Sequence, residues 1–293
     1  MKTITVLSGK GGVGKSSISA SLALTISKDN GIICADCDVD ASNLSLVFGA
    51  KKQEEWNDLS TNEEAVFDLS RCNSCKKCFD ECYFNAIGWK NNKPCLKDFS
   101  CEGCGLCELI CPQVAISLKK IDNARIGYAN TKYGFKVVSA QLKIGASGSG
   151  KVVFEVRKKA KKLAEGADIM IIDSAAGIGC PVIASVTGSD YAIIVTEPTP
   201  SGFSDMKKAL EVVKHFKIPC GIIINKYDLN KDHTQKIQDF AEINNLKILA
   251  KVPFDRKFAD ALTEMIPILE YEDSYRMLFG DLKKSILKEI RLG

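Results

Sequence analysis

Apolar residues in this chain come in short blocks separated by glycine, asparagine, aspartate and charged turns. The first block, 3–7, runs into a glycine-rich stretch, 8–14. A segment at 15–27 follows, with apolar residues at helical spacing. Further blocks at 32–35, 168–172, 191–196, 221–224 and 246–252 are short and rich in isoleucine, valine and alanine. Runs with little polar alternation read as strands buried on both faces, as a parallel sheet covered by helices requires. Helical stretches separate them, 152–165 among these. The pattern predicts an α/β fold, a mostly parallel sheet flanked by helices.

Two stretches break the pattern. Positions 51–64 (KKQEEWNDLSTNEE) are polar and aperiodic, and read as a linker. Positions 67–118 are rich in cysteine and repeat themselves: C-x₂-C-x₂-C-x₃-C-x₃-A-I fits both 72–87 and 101–116. A duplicated small α+β domain at 66–118 is therefore expected, inserted into a discontinuous larger domain made of 1–65 and 119–293. At the far end, Leu278, Leu282, Ile286 and Ile290 share one helical face, accompanied by Lys283, Lys284, Lys288 and Arg291. A helix packed on the sheet explains this pattern. A basic amphipathic helix lying on a membrane surface is the second reading.

Composition narrows the setting. The chain is 45% apolar and 26% charged, as soluble domains are. Thirteen clustered cysteines, with Met1 and Lys2 leading straight into the first strand, favour metal ligation in a reducing, cytoplasmic compartment over disulfides. No apolar run reaches the roughly 18–20 residues that span a bilayer. The formal charge of +4 is not a clustered basic footprint, so no nucleic-acid partner is expected.

Gly9-Lys10-Gly11-Gly12-Val13-Gly14-Lys15-Ser16 satisfies G-x₄-G-K-[ST] between a predicted strand and helix. Glycines let backbone N–H groups close around phosphate oxygens, and the helix start adds its positive dipole end. Lys15 is expected on the β- and γ-phosphates and Ser16 on magnesium. The expected nucleotide contacts run from Gly9 to Ser17. Asn225-Lys226-Tyr227-Asp228 fits the N-K-x-D guanine signature as written.

Each cysteine run matches the bacterial ferredoxin pattern, in which three cysteines ligate one iron–sulfur cluster and the fourth ligates the other. Cys72, Cys75, Cys78 and Cys111 would then hold one 4Fe–4S cluster, and Cys82, Cys101, Cys104 and Cys107 the second. Zinc is the rival, but zinc ribbons pair two C-x₂-C units across a longer gap. Tyr83 stands where the second run has Pro112. Cys34 and Cys37, three apart in a strand, face opposite sides and read as core and near-site thiols. Cys95 and Cys220 read as unligated.

The form K-G-G-V-G-K-S resembles the deviant P-loop of the MinD/ParA ATPases and the nitrogenase iron protein. In that family the lysine matching Lys10 crosses a dimer interface to the partner's nucleotide. Asp36-Cys37-Asp38 resembles switch I, which implies that Asp38 orients the attacking water beside magnesium. Asp173-Ser174-Ala175-Ala176-Gly177 resembles Walker B and switch II. Asp173 would hold the magnesium shell and the Gly177 N–H would sense the γ-phosphate, although the family usually has prolines at the positions of Ala175 and Ala176. The resemblance makes Asn225 an adenine contact and so favours ATP. It also places Pro253 at the edge of the base pocket. Cys180 matches a cluster-bridging cysteine of the nitrogenase iron protein, but the second would align near Ala146, so Cys180 reads as a small buried residue.

Taken whole, the chain resembles MinD-superfamily P-loop ATPases carrying an inserted ferredoxin domain. The stretches 180–185 and 196–200 add to the match. The resemblance implies magnesium-dependent ATP hydrolysis by Lys10, Lys15 and Asp38, and a homodimer or a heterodimer with a paralogue. It further implies two 4Fe–4S clusters and electron transfer or metallocluster delivery to a redox or metalloprotein partner. A cluster-assembly ATPase of Mrp type and a MinD-like spatial organiser are the alternatives.

Overall fold

The computed structural model describes residues 1–50, 54–98, 100–146 and 148–291. The chain divides into two compact units. The larger holds Met1–Trp56, Ile126–Gln141 and Ser149–Gly293, and the smaller Asn57–Arg125 and Leu142–Gly148. The smaller unit is thus wider than the cysteine-bearing stretch 66–118 and draws on a second, short segment of chain.

The chain opens with β1 (Lys2–Ser8), α1 (Lys15–Ile26), β2 (Ile32–Cys37) and a short α2 (Leu44–Val47). β3 (Glu54–Leu59) and β4 (Asn62–Phe67) follow. Next come α3 (Lys77–Asp80), β5 (Ile87–Lys90), β6 (Lys93–Leu96), α4 (Leu106–Leu109) and β7 (Ile116–Ile121). β8 (Ala124–Asn130) and β9 (Lys136–Leu142) lead to α5 (Ser149–Leu163), β10 (Ile169–Ala176), α6 (Cys180–Val186), β11 (Tyr191–Thr196) and α7 (Pro200–His215). β12 (Cys220–Asn225), α8 (Lys231–Ile243), β13 (Lys247–Val252), α9 (Lys257–Thr263), α10 (Ile268–Tyr271) and α11 (Arg276–Arg291) complete it.

Nine strands form one sheet in the order β13-β12-β11-β1-β10-β2-β9-β8-β3. The pairs joining β13 through to β9 are all parallel. Side chains on opposite faces of these strands enter two separate cores. One gathers Ile4, Val6, Ile171, Ile193 and the apolar side of α1, and the other Leu7, Ala192, Ile194, Met206 and Val213. That double burial is why the central strands read as apolar blocks.

Three sequence expectations change. The polar stretch at 51–64 is not a linker where it is described, because it contains β3 and the start of β4; positions 51–53 lie outside the described residues. β3 is an edge strand whose residues are exposed or half-buried, so it carries no apolar periodicity. The alternative of a membrane-surface helix at 278–292 loses its apolar face. Phe279, Leu282, Ile286 and Ile290 of α11 are buried in the core that also holds α1, while Leu292 lies outside the described residues. Among the described residues no helix is long and apolar enough to cross a membrane. Finally, β10 runs past the expected end at 172 as far as Ala176. Alanine at 175 and 176 keeps the N–H groups that proline would remove from the ladder.

Candidate nucleotide site and cysteine cavities

The loop between β1 and α1 carries Gly12 and Gly14 in the left-handed region, at φ 79° and 85°. Gly14 has a second constraint: a β-carbon there would lie 2.3 Å from Asn225 Nδ2. That amide donates to the Val13 carbonyl at 2.7 Å and so fastens the end of β12 to the loop. Asn225 therefore contacts the phosphate loop through Val13. Asp228, the last member of the N-K-x-D stretch, accepts from the Phe254 N–H at 2.6 Å.

Asp173 is fully buried and is the hub of the site. It pairs with Lys15 Nζ at 2.8 Å, and accepts from Ser16 Oγ at 2.7 Å and Ser19 Oγ at 2.7 Å. Three groups that the sequence places far apart or assigns separately thus converge, and Ser19 joins them as a contact the motif does not include. Its signal was available: Ser19 is one helical turn after Lys15. The arrangement keeps a lysine, a hydroxyl and a carboxylate ready for a phosphate and its cation.

Asp36 and Asp38 flank the same region. Asp36 accepts from Ser42 Oγ at 2.8 Å and from the Leu44 N–H at 2.9 Å. Burial, then the charge of Asp173, pushes its carboxyl up to about 7. Asp38 is half-buried, and burial also raises its carboxyl. The cleft is lined by Gly11, Gly12, Gly14, Lys15, Ser16, Ser17 and Asp38, with Asn43, Leu46, Val47, Leu262 and Met265 as apolar and amide walls that the sequence did not reveal. Pro253 is half-buried and follows β13 directly.

Two predicted contacts are engaged within the chain. The Gly177 N–H, at φ 97°, donates to the Ser8 carbonyl at 2.9 Å, so a role at the γ-phosphate requires that bond to open. Lys10 Nζ lies 2.7 Å from Glu197, which also pairs with Lys226 at 3.0 Å. Burial would raise the Glu197 carboxyl, but hydrogen bonds from the two lysines outweigh it and the pKa is lowered.

In the smaller unit the eight motif cysteines divide between two cavities. Cys72, Cys75, Cys78 and Cys111 line one; Cys82, Cys101, Cys104 and Cys107 line the other, and Cys78 lines both. The two halves repeat in detail. Backbone in the left-handed region falls at Ser74, Lys76 and Asn85 in the first and at Gly103, Gly105 and Val114 in the second. At Gly103 a β-carbon would meet the Glu63 carbonyl oxygen at 2.3 Å. The Ala86 and Ala115 N–H groups each donate to sulfur, of Cys82 and Cys111, at 3.3 Å. Among the described residues no three Cys, His, Asp or Glu side chains converge to hold a single ion. Each cavity thus offers at least four thiols, the number a cubane cluster takes.

The other cysteines lie elsewhere. Cys34 and Cys37 are buried in β2; burial, then Asp36, pushes Cys37 up to about 12. Cys95 and Cys220 line neither cavity. Cys180, expected to be buried, is exposed as the first residue of α6, because the helix starts there with its outer face in solvent.

Residues 4–268 match the CobQ/CobB/MinD/ParA nucleotide binding domain, and the chain belongs to that family of P-loop ATPases. An uncharacterised protein of Methanocaldococcus jannaschii is 36% identical over 97% of both chains. An iron–sulfur cluster carrier protein of Pyrococcus horikoshii is 27% identical, over 98% of this chain and 86% of its own. Among solved structures, the septum site-determining protein MinD of Pyrococcus horikoshii complexed with Mg-ADP superposes with a TM-score of 0.62 at 20% identity, covering 97% of this chain and 95% of its own.

Proposed function

We propose that this protein is an ATP-hydrolysing iron–sulfur protein in which nucleotide state at the P-loop governs electron transfer to a protein partner. The observation that carries the iron–sulfur part is that Cys111 lines the cavity of Cys72, Cys75 and Cys78, while Cys82 lines that of Cys101, Cys104 and Cys107, the crossed arrangement. Cys72, Cys75, Cys78 and Cys111 would hold one 4Fe–4S cluster, and Cys82, Cys101, Cys104 and Cys107 the other; each supplies a one-electron centre when bound. The backbone N–H groups of Ser74, Ala86 and Ala115, which donate to sulfur, favour the thiolate form these ligands need.

Hydrolysis rests on the Asp173 hub. Lys15 would neutralise phosphate charge, Ser16 and Asp173 would hold magnesium, and Asp38 would orient water. Coupling rests on chain connectivity. Gly148 ends the smaller unit and α5 begins at the next residue. Within the larger unit the Arg157 guanidinium of α5 donates to the Ala184 carbonyl of α6, which follows switch II. Its charge also acts on Cys37, which sits between Asp36 and Asp38. α5 therefore follows the cysteine-bearing unit directly in the chain, and within the larger unit it carries the guanidinium that acts on Ala184 and Cys37. Nucleotide-driven pairing with a second copy or a paralogue, in a cytoplasmic setting, completes the reading.

Anaerobically purified protein should contain about eight irons and eight sulfides per chain, as two cubane clusters require. Cys111→Ser should impair the same cluster as Cys72→Ser, and Cys82→Ser the other. Stoichiometric zinc without iron, or Cys111→Ser grouping with Cys101→Ser, would overturn the assignment. Retained clusters distinguish this reading from the carrier role named for the Pyrococcus horikoshii relative; facile transfer to an apo-acceptor would favour the carrier.

A further inference from the structure

What the two halves of the smaller unit share surrounds the cavities: thiols, left-handed turns and N–H donors to sulfur. What they do not share points outward. We propose that the rim of the second cavity is the docking face for a redox protein that presents an apolar patch ringed by lysine or arginine. This rests on the iron–sulfur reading above and adds the partner's chemistry to it.

Tyr83, Phe84 and Leu106 all line the second cavity and are 87%, 42% and 38% exposed. The two rings pack edge to face with centroids 5.3 Å apart. The charged residues of this lining are Glu81 and Glu102, both exposed. At the equivalent places in the other half of the repeat stand Pro112, Gln113 and Lys77, and the charged residues lining the first cavity are Lys76 and Lys77. The repeat thus keeps its ligands and inverts the charge of its rims, one acidic with exposed aromatic rings, the other basic.

Ligation does not require that difference, since the first cavity has the same four thiols without it. Folding does not require it either: a tyrosine ring this exposed stabilises no core. Exposed aromatic groups rimmed by charge mark interaction sites, and aromatic residues are enriched at the centre of interfaces. The acidic rim selects a basic partner and steers its approach. Electron transfer falls steeply with distance, so a partner seated on the rim of a cluster site is where transfer is fastest.

The probe is oxidised cytochrome c, a basic protein with lysines around an exposed haem edge. Its binding to the iron-loaded, oxidised protein is measured by calorimetry at low and physiological ionic strength. The E81K/E102K double variant should weaken binding by about tenfold or more at low salt, with the loss shrinking at high salt. Tyr83→Ser should weaken it at both salts. K76E/K77E, on the first rim, should leave it unchanged or tighter. Iron content and visible spectrum, recorded for each variant, report whether the cavities are intact. Absence of binding by the parent protein, or equal loss from both charge-reversal pairs, would overturn the docking face. So would a Tyr83→Ser variant that turns a nucleotide-free dimer into a monomer, since a second copy would then be the occupant. A protein without iron would instead defeat the underlying iron–sulfur reading, and the binding pattern still reads the rim separately.

Discussion

Lys10 and Glu197 of the same chain form an ion pair at 2.7 Å. The family resemblance sends Lys10 across a dimer interface, whereas here it is held at home. Glu197 also holds Lys226, whose Nζ donates to the Gly12 carbonyl at 3.1 Å, so one carboxylate anchors both lysines beside the phosphate loop. Any role for Lys10 on a partner's nucleotide therefore begins with its release from Glu197.

Release of a partly exposed pair costs about 1 kcal/mol or less. Glu197→Gln should accordingly raise the dimer fraction about threefold at a fixed ATP concentration, in a background of Asp38→Ala to trap ATP. Lys10→Ala should weaken the dimer while leaving monomer nucleotide affinity largely intact. Sedimentation velocity reads both. A dimer insensitive to Lys10→Ala would remove the proposed trans role.

Lys15 and Asp173 form a buried pair whose partners cannot be removed singly without loss. Lys15→Ala strips the phosphate-binding charge and leaves a fully buried carboxylate with only Ser16 and Ser19. Nucleotide binding should vanish, and the nucleotide-free protein should lose about 3 kcal/mol of stability. Asp38→Ala removes only water positioning, so it should still bind ATP but turn over about 100-fold more slowly. Calorimetric binding, denaturant unfolding and phosphate release check these. Parental turnover in Asp38→Ala would contradict the switch I assignment.

Asp36 gives a pH signature. Its folded pKa is raised to about 7, chiefly by burial, above the ordinary carboxylate value. The folded state therefore holds a proton that the unfolded state has released. The contribution of Asp36 to stability is full below about pH 4 and is lost progressively as pH rises through about 7, by an amount on the order of 4 kcal/mol. Asp36→Asn should flatten the stability profile across that window. A wild-type slope retained in the variant would assign the proton to another group.

Much of this was legible in the sequence because the relevant signals are local. The P-loop is a run of glycines with fixed backbone demands, and the central strands are apolar because both faces are covered. The duplication of the cysteine-bearing stretch was readable because one spacing repeats whole. What escaped was long-range. Glu197, and the bond of Asn225 to Val13, owe their roles to contacts with residues brought together by strand order. β3 has no periodicity because it lies at an edge. Cys180 looked like a core residue, but the exposure of a helix start is set by packing, not by its own residue type. Ala175 and Ala176 were noted as departures from the family. That they let β10 run on and engage the Gly177 N–H with Ser8 could not be read from residue type alone.

The central claim, that nucleotide state governs the redox centres, is tested by an anaerobic redox titration followed by electron paramagnetic resonance. It compares ADP-bound protein with Asp38→Ala trapped with ATP and magnesium. The account predicts that the potential of at least one cluster differs between the two states, since potential responds to net charge, sulfur hydrogen bonds and solvent exposure. By linkage, nucleotide affinity must then differ between oxidised and reduced protein by the same free energy. Identical potentials in both states, together with identical nucleotide affinities, would contradict it.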